Sequence, residues 1–178
     1  AEGPDMRGHE AYWQSRFSGS LPVLDLPVDR PRAPVRSFNA RRIDHTIGSE
    51  LAVAVRKLGS SLGQSLFSTL LGAFAATVHR VTEQEDLVVG IASAGQLASG
   101  MPGLVGHCVN VLPLRFAVEG RMPFDQLARQ AAGTLLDATE HQMAYGALLK
   151  KLSVPRDPSR LPLVNILFNL DRDAPPPD

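Results

Sequence analysis

GLVGHCVNVLPLRF, Gly103 to Phe116, reads as a strand with three chemically able side chains near its start, His107, Cys108 and Asn110. Cys108 is the only cysteine among 178 residues. A Cys–His catalytic pair, a metal ligand set and a structural strand all have to be weighed. If 107–112 is extended, neighbouring side chains point to opposite faces, so His107 and Cys108 do not meet. Cys108 then shares a face with Asn110 and Leu112, a small and mostly apolar setting in which lone cysteines are usually inert. Asn110 is harder to dismiss. An amide inside an otherwise apolar strand costs free energy unless its donors and acceptors are met. It either pairs structurally across the sheet or faces a ligand, and the strand alone does not choose.

Upstream, LVVGIA at 87–92 is a continuous apolar run, the pattern of a central strand covered on both faces. A glycine-rich loop, SAGQLASGMPG at 93–103, joins it to the stretch above, which continues as a strand to Val118. GIASAG at 90–95 approaches the nucleophile-elbow pattern but has Ile91 where a glycine is needed two residues before Ser93. Ser93 nonetheless closes a central strand, where ligands of α/β sheets commonly bind.

Further out, Trp13 and Phe17 share one face of a short helix over 10–17. The segment 21–38 carries Pro22, Pro27, Pro31 and Pro34, which forbid a regular helix and favour an extended crossing. Leu21, Val23, Leu24, Leu26 and Val28 can lie against a surface there. RIDHTI at 42–47 alternates, with Ile43, His45 and Ile47 on one side, and predicts a strand. Ser49 is placed to cap a helix through Leu58, with Leu51, Val55 and Leu58 as its stripe and Gly59 as its stop. Ser65 is placed to cap a second, deeply buried helix over 66–81. Pro123 suits a first helical position. Phe124, Leu127, Ala131, Leu135 and Ala138 mark one face of a long helix, and Tyr145–Leu152 a short one. RDPSR at 156–160 reads as a turn that Arg156, Asp157 and Arg160 close by a bidentate Arg–carboxylate contact. LPLVNILFNL at 161–170 reads as a final strand. Helices and strands in this order predict an α/β sandwich, a mixed sheet covered by helices.

Eighteen Lys and Arg balance eighteen Asp and Glu. No basic stripe interleaves with aromatics, which argues against nucleic acid as a partner. No apolar run reaches the roughly 18–20 residues of a spanning helix, and the N-terminus lacks the apolar core of a signal peptide. The expectation is a cytoplasmic protein with no membrane partner. The five histidines show no ligand spacing and there is no second cysteine, so no metal site is expected. AEGPD reads as a linker and the Pro-rich 173–178 as a stiff exit toward a following module, as though the chain were a piece of something larger.

The segments, taken in order, resemble the condensation domains of nonribosomal peptide synthetases. YWQSRFSGSLPVLDLPVDRPR at 12–32 looks like that family's mid-domain segment, and 65–96 like its buried helix and central strand. GLVGHCVNVLPLRF matches its strand motif through Gly106, Val109, Asn110 and Arg115. His141 and Gln142 keep the start of a late helical motif, and 156–170 is close to the final one. The resemblance implies a chloramphenicol-acetyltransferase-like fold, two lobes of which form the family domain. The family's His-His-x-x-x-Asp-Gly motif belongs to the first lobe, and no two histidines are adjacent here. The chain therefore resembles the C-terminal lobe, residues 1–172, followed by the linker. Two departures, Met143–Ala147 after His141-Gln142 and the His107-Cys108 pair, resemble a branch acting at polyketide–peptide junctions.

By that resemblance, the intact domain joins a carrier-bound acyl thioester to a carrier-bound aminoacyl amine. The chain alone, without catalytic residues of its own, is expected to be inactive. Asn110, Ser93, Gly95, Gln96 and, more weakly, Trp13 are expected to line the substrate tunnel. Gly106, Arg115, Arg156, Asp157 and Arg160 are expected to be framework. No cofactor is bound directly; the phosphopantetheine arms of acyl and aminoacyl carrier proteins bring the substrates. Expected partners are those carriers, the N-terminal lobe and neighbouring synthetase modules. A noncatalytic carrier-docking lobe and a coenzyme A-dependent acyltransferase fragment are the alternatives.

Overall fold

Strand β1, Asp86–Ala94, runs through the middle of a three-stranded sheet. Strand β2, Val109–Ala117, pairs with it antiparallel along its full length, from Asp86 opposite Ala117 to Ala94 opposite Val109. On its other edge β1 meets β3, Leu167–Phe168, in parallel, with Gly90 opposite Leu167 and Ile91 opposite Phe168. The sheet is thus mixed, as expected. The structure is a computed structural model and describes residues 4–94, 103, 105, 106 and 108–171.

Five helices complete the described architecture: α1 Pro4–Arg16, α2 Ser49–Ser61, α3 Leu66–Thr82, α4 Phe124–Glu140 and α5 Tyr145–Lys151. Helix α3 packs on α4, α4 on β2, and α1 on α5. Gly72 permits the close approach of α3 to α4, because a Cβ there would lie 3.3 Å from the Cα of Ala128. One apolar cluster joins Trp13 and Phe17 of α1 and the turn after it, Leu71 of α3, Leu87 and Val89 of β1, Leu112, Leu114 and Phe116 of β2, Leu127 of α4 and Leu148 of α5. Burial of such large side chains at roughly 1.5–3 kcal/mol each is the main force holding the layers together.

Several expectations are met. Trp13 and Phe17 are buried together, with ring centroids 6.1 Å apart. The Ser65 hydroxyl accepts the Ser68 N–H at 3.0 Å and caps α3.

Others need correction. Helix α1 begins at Pro4, so part of the expected linker is helical; a helix anchored by Trp13 propagates backward at little cost. Residues 39–48 form no strand, and Ile43 and Ile47 are 80% and 62% exposed. Alternation suits a strand only where a neighbour completes its backbone hydrogen bonds, and none of the described strands lies beside it.

Gly48, not Ser49, is the N-cap of α2, and the helix runs through Gly59 to Ser61. Gly59 is there for packing: a Cβ on it would stand 2.6 Å from the Thr69 hydroxyl of α3. The stripe expected on α2 turns outward, with Leu51 and Leu58 exposed. Pro123 is the N-cap of α4 rather than its first helical residue. The strand expected over 161–170 shrinks to two residues, because Leu163 at φ 65° bends the chain and the Val164 N–H turns back to the Pro162 carbonyl at 2.8 Å.

No single helix among the described residues is long and apolar enough to cross a membrane.

Candidate functional site

The register of the sheet sets Ser93 directly opposite Asn110, at the end from which β1 leaves and β2 returns. Both residues are half-buried. Each reaches the same short connector between α4 and α5. The Ser93 hydroxyl donates to the Gln142 side-chain carbonyl at 3.2 Å. The Asn110 amide donates to the Met143 carbonyl at 2.8 Å, and its oxygen accepts the Tyr145 N–H at 3.0 Å. That N–H opens α5 and has no partner within its own helix. Asn110 therefore acts as a helix cap supplied from a strand, and its half-buried amide is satisfied by backbone.

The connector is pinned from other sides as well. Trp13 donates its indole N–H to the His141 carbonyl at 2.6 Å. Tyr145 donates its hydroxyl to the Pro162 carbonyl at 2.5 Å. Burial pushes the Tyr145 phenol up to about 12, so it stays a donor at neutral pH.

Beside Ser93 opens a groove of about 580 Å³, lined in part by Ser65 and Phe67 of the α3 start, Ile91 of β1, and Leu135 and Thr139 of α4. Its walls are apolar with hydroxyls at intervals. Chemically this end of the sheet offers neutral hydroxyl and amide groups. They can hold and orient a polar chain, and none of them titrates near neutral pH.

At the other end of the same strands, Arg115 grips Asp86 through two hydrogen bonds, 2.9 and 2.6 Å. Its remaining donors reach the carbonyls of Arg16, Ser18 and Ser20 at 3.1–3.4 Å. The hydrogen bond to Asp86 raises the Arg115 pKa further above its ordinary value. Arg16 binds back, donating to the Arg115 carbonyl at 2.5 Å and the Thr134 hydroxyl at 3.1 Å. Arg115 thus ties the segment after α1 to the sheet.

The other expected residues fall out as follows. Trp13, expected on the tunnel wall, is 1% exposed and belongs to the core; its size and apolar ring make it an anchor, with its one polar atom satisfied by His141. The turn at 156–160 is closed by the Ser159 N–H on the Asp157 carboxylate at 2.8 Å, and bonds from Ser159 hold the Asp157 carboxyl below the usual range. Arg160 stands 3.5 Å from Asp157 by one nitrogen, and donates to the Leu24 carbonyl at 3.2 Å. The expected bidentate closure with Arg156 is replaced by this arrangement, because Arg160 is drawn toward the Leu24 carbonyl and the Asp25 carboxylate. Gly106 lies exposed ahead of β2. Cys108 is half-buried and precedes the strand, which begins at Val109, so the strand expected from residue 107 starts two residues later. His107, Gly95 and Gln96 lie outside the described residues, as do 173–178. No group of three or more His, Cys, Asp or Glu among the described residues could hold a metal ion.

Gln142, Tyr145 and Asp86 were not singled out by the sequence as partners. Their contacts span 49, 35 and 29 residues, and no local pattern carries such separations.

The family model of the condensation domain matches residues 1–174. The chain belongs to the condensation-domain family. Among curated relatives of this domain, surfactin synthase subunit 2 of Bacillus subtilis (strain 168) is 40% identical over 93% of the chain, and tyrocidine synthase 2 of Brevibacillus parabrevis is 32% identical over 97%. The chain spans only 5% of the length of each of those two proteins. A four-domain nonribosomal peptide synthetase bound to AMP and glycine superposes with a TM-score of 0.86 at 21% identity, over 94% of this chain and 13% of that one. The X-domain from teicoplanin biosynthesis superposes at 0.82 and 19% identity over 91% of this chain and 36% of that one. The first condensation domain of the CDA synthetase superposes at 0.62 and 21% identity over 84% and 33%. These likenesses give the fold as chloramphenicol-acetyltransferase-like.

Proposed function

We propose that the chain is the second lobe of a condensation domain that forms an amide bond between two carrier-bound thioesters. One observation carries this reading: the motif strand bearing Asn110 stands against Ser93 at the open end of the sheet, beside an apolar groove with hydroxyls along it. The chain covers 36% and 33% of the X-domain and condensation-domain chains on which it superposes, which supports its being a part of such a domain.

In the reaction, the acceptor amine nitrogen attacks the donor thioester carbonyl. A C–N bond forms, the C–S bond breaks, and the amine proton goes with the departing thiol. Such a reaction depends on holding the amine at the carbonyl and on polarity where the oxyanion develops. Ser93 and Asn110 border the wall along which the phosphopantetheine arms run, and Gly95 and Gln96 follow Ser93 in the sequence. The proton-handling histidine pair is contributed by the N-terminal lobe, since no adjacent histidines occur in this sequence. Acyl and aminoacyl carrier proteins and neighbouring modules are the partners, and the departures at His107-Cys108 and Met143–Ala147 support a polyketide-type acyl donor.

The test is an amide-forming assay with loaded carrier proteins, with and without an added N-terminal lobe. Product is expected only when the lobe is added; product from the chain alone refutes the assignment. A second reading, a noncatalytic carrier-docking lobe, draws on the full engagement of Asn110 by the 143 and 145 backbone. Carrier binding without turnover after the lobe is added selects it.

A further inference from the structure

The two strands that flank the β1–β2 loop end on one support. Ser93, the last but one residue of β1, and Asn110, the second of β2, face each other and both bond the α4–α5 connector. The connector is itself fixed by Trp13 from α1 and by Tyr145 to Pro162. Its side-chain contact to the outgoing strand is Gln142 to Ser93, at 3.2 Å. By contrast, the bond network of Asn110 reaches only backbone atoms at the connector and does not depend on which side chain stands at 142.

We infer that Gln142 is a positioning residue, which holds the Ser93 end of β1 through its side-chain carbonyl and so sets the point from which the loop departs. Gln142 touches no reacting group in this role. It acts by removing a freedom: β1 is paired to β3 only at Gly90 and Ile91, so the residues beyond Ile91 are held on that edge by no described strand. The β2 ladder holds the other edge out to Ala94 opposite Val109, and the Gln142 side-chain hydrogen bond adds to it a hold from outside the sheet. In the assembled domain this rests on the reading that Ser93 borders the acyl-transfer wall, so loss of the tether misplaces the wall and leaves the chemistry intact.

The experiment compares Q142A, S93A, the double variant S93A/Q142A and Q142E. Because the Ser93 hydroxyl donates, a carboxylate at 142 accepts it as the amide does, and Q142E is the conservative rescue. With the chain supplied with an N-terminal lobe, Q142A and S93A each raise KM for the acceptor thioester about fivefold, the worth of one net hydrogen bond, with kcat little changed. The double variant is no worse than either single one, as expected of two partners in one contact, and Q142E stays near the parent. Amide hydrogen exchange of the 93–94 backbone rises in Q142A and S93A and not in Q142E. Additive losses, equal losses of kcat and kcat/KM, or unchanged exchange in Q142A would overturn the inference. If the parent chain forms no product with an added lobe, the functional reading falls and the exchange measurement still decides the tether.

Discussion

Along β2, Leu112, Leu114 and Phe116 alternate with Val111, Pro113 and Arg115; the first three are buried, and Pro113 is buried on the opposite face as well. Along 42–47, Ile43, His45 and Ile47 alternate with Arg42, Asp44 and Thr46, and all six are exposed. The two stretches carry the same period-two signal and end in opposite states. What separates them is company. Strand β2 has β1 on its edge and α4 against it, whereas 39–48 lies beside none of the described strands. Alternation states which face a strand would bury; a neighbour decides whether anything is buried at all.

The comparison breaks most visibly at its buried end. Phe116→Ala is expected to destabilise the chain by about 3–5 kcal/mol, from lost transfer energy and the cavity left behind, read as a shift in the urea midpoint. A cost near zero would remove the contrast. Next comes Arg115→Ala, which abandons Asp86 and three backbone carbonyls. An expected loss of about 2 kcal/mol follows from removing the part-buried bonds to Asp86 and to the Arg16 carbonyl, while the exposed Ser18 and Ser20 carbonyls return to water. Adding salt should recover little of it, since most of the lost partners are uncharged carbonyls.

A smaller effect sharpens the picture at the connector. The folded-state pKa of Tyr145, about 12, lies above the ordinary value of 10.0. Well below pH 10 the phenol is protonated in both folded and unfolded chains, so it adds no pH dependence. Between pH 10 and 12 the unfolded chain ionises first and stability falls. Tyr145→Phe should flatten that limb of the stability profile relative to the parent; parallel profiles would show that Tyr145 is not held as described. Smallest of all, Ile43→Ser is expected to change stability by no more than about 0.5 kcal/mol, as an exposed substitution does. A larger loss by the same urea measurement would mean that 42–47 is buried against something and that the contrast with β2 is false.

Much of the fold was legible because its signals are local. The apolar run of β1, the Ser65 cap, the Trp13–Phe17 pair and the long face of α4 each lie within a few turns or a single strand. The family was legible from the ordered set of motifs, which is far more specific than any one of them alone. Less of the candidate site could be read. The sequence nominated Ser93 and Asn110 and left the role of Asn110 open; that they face each other is a matter of register. Trp13 was misassigned because an aromatic on an amphipathic helix looks the same whether it lines a cleft or fills a core.

The sequence by itself determined most of the helices and the two long strands, the mixed α/β class, and the lack of an adjacent histidine pair, since these depend on residue type and short-range spacing. Only the tertiary structure decided that Ser93 and Asn110 share one support, that Arg115 belongs to Asp86, and that RIDHTI lies beside none of the described strands. Those outcomes rest on contacts between residues tens of positions apart, whose geometry is set by how layers pack and not by any pattern along the chain.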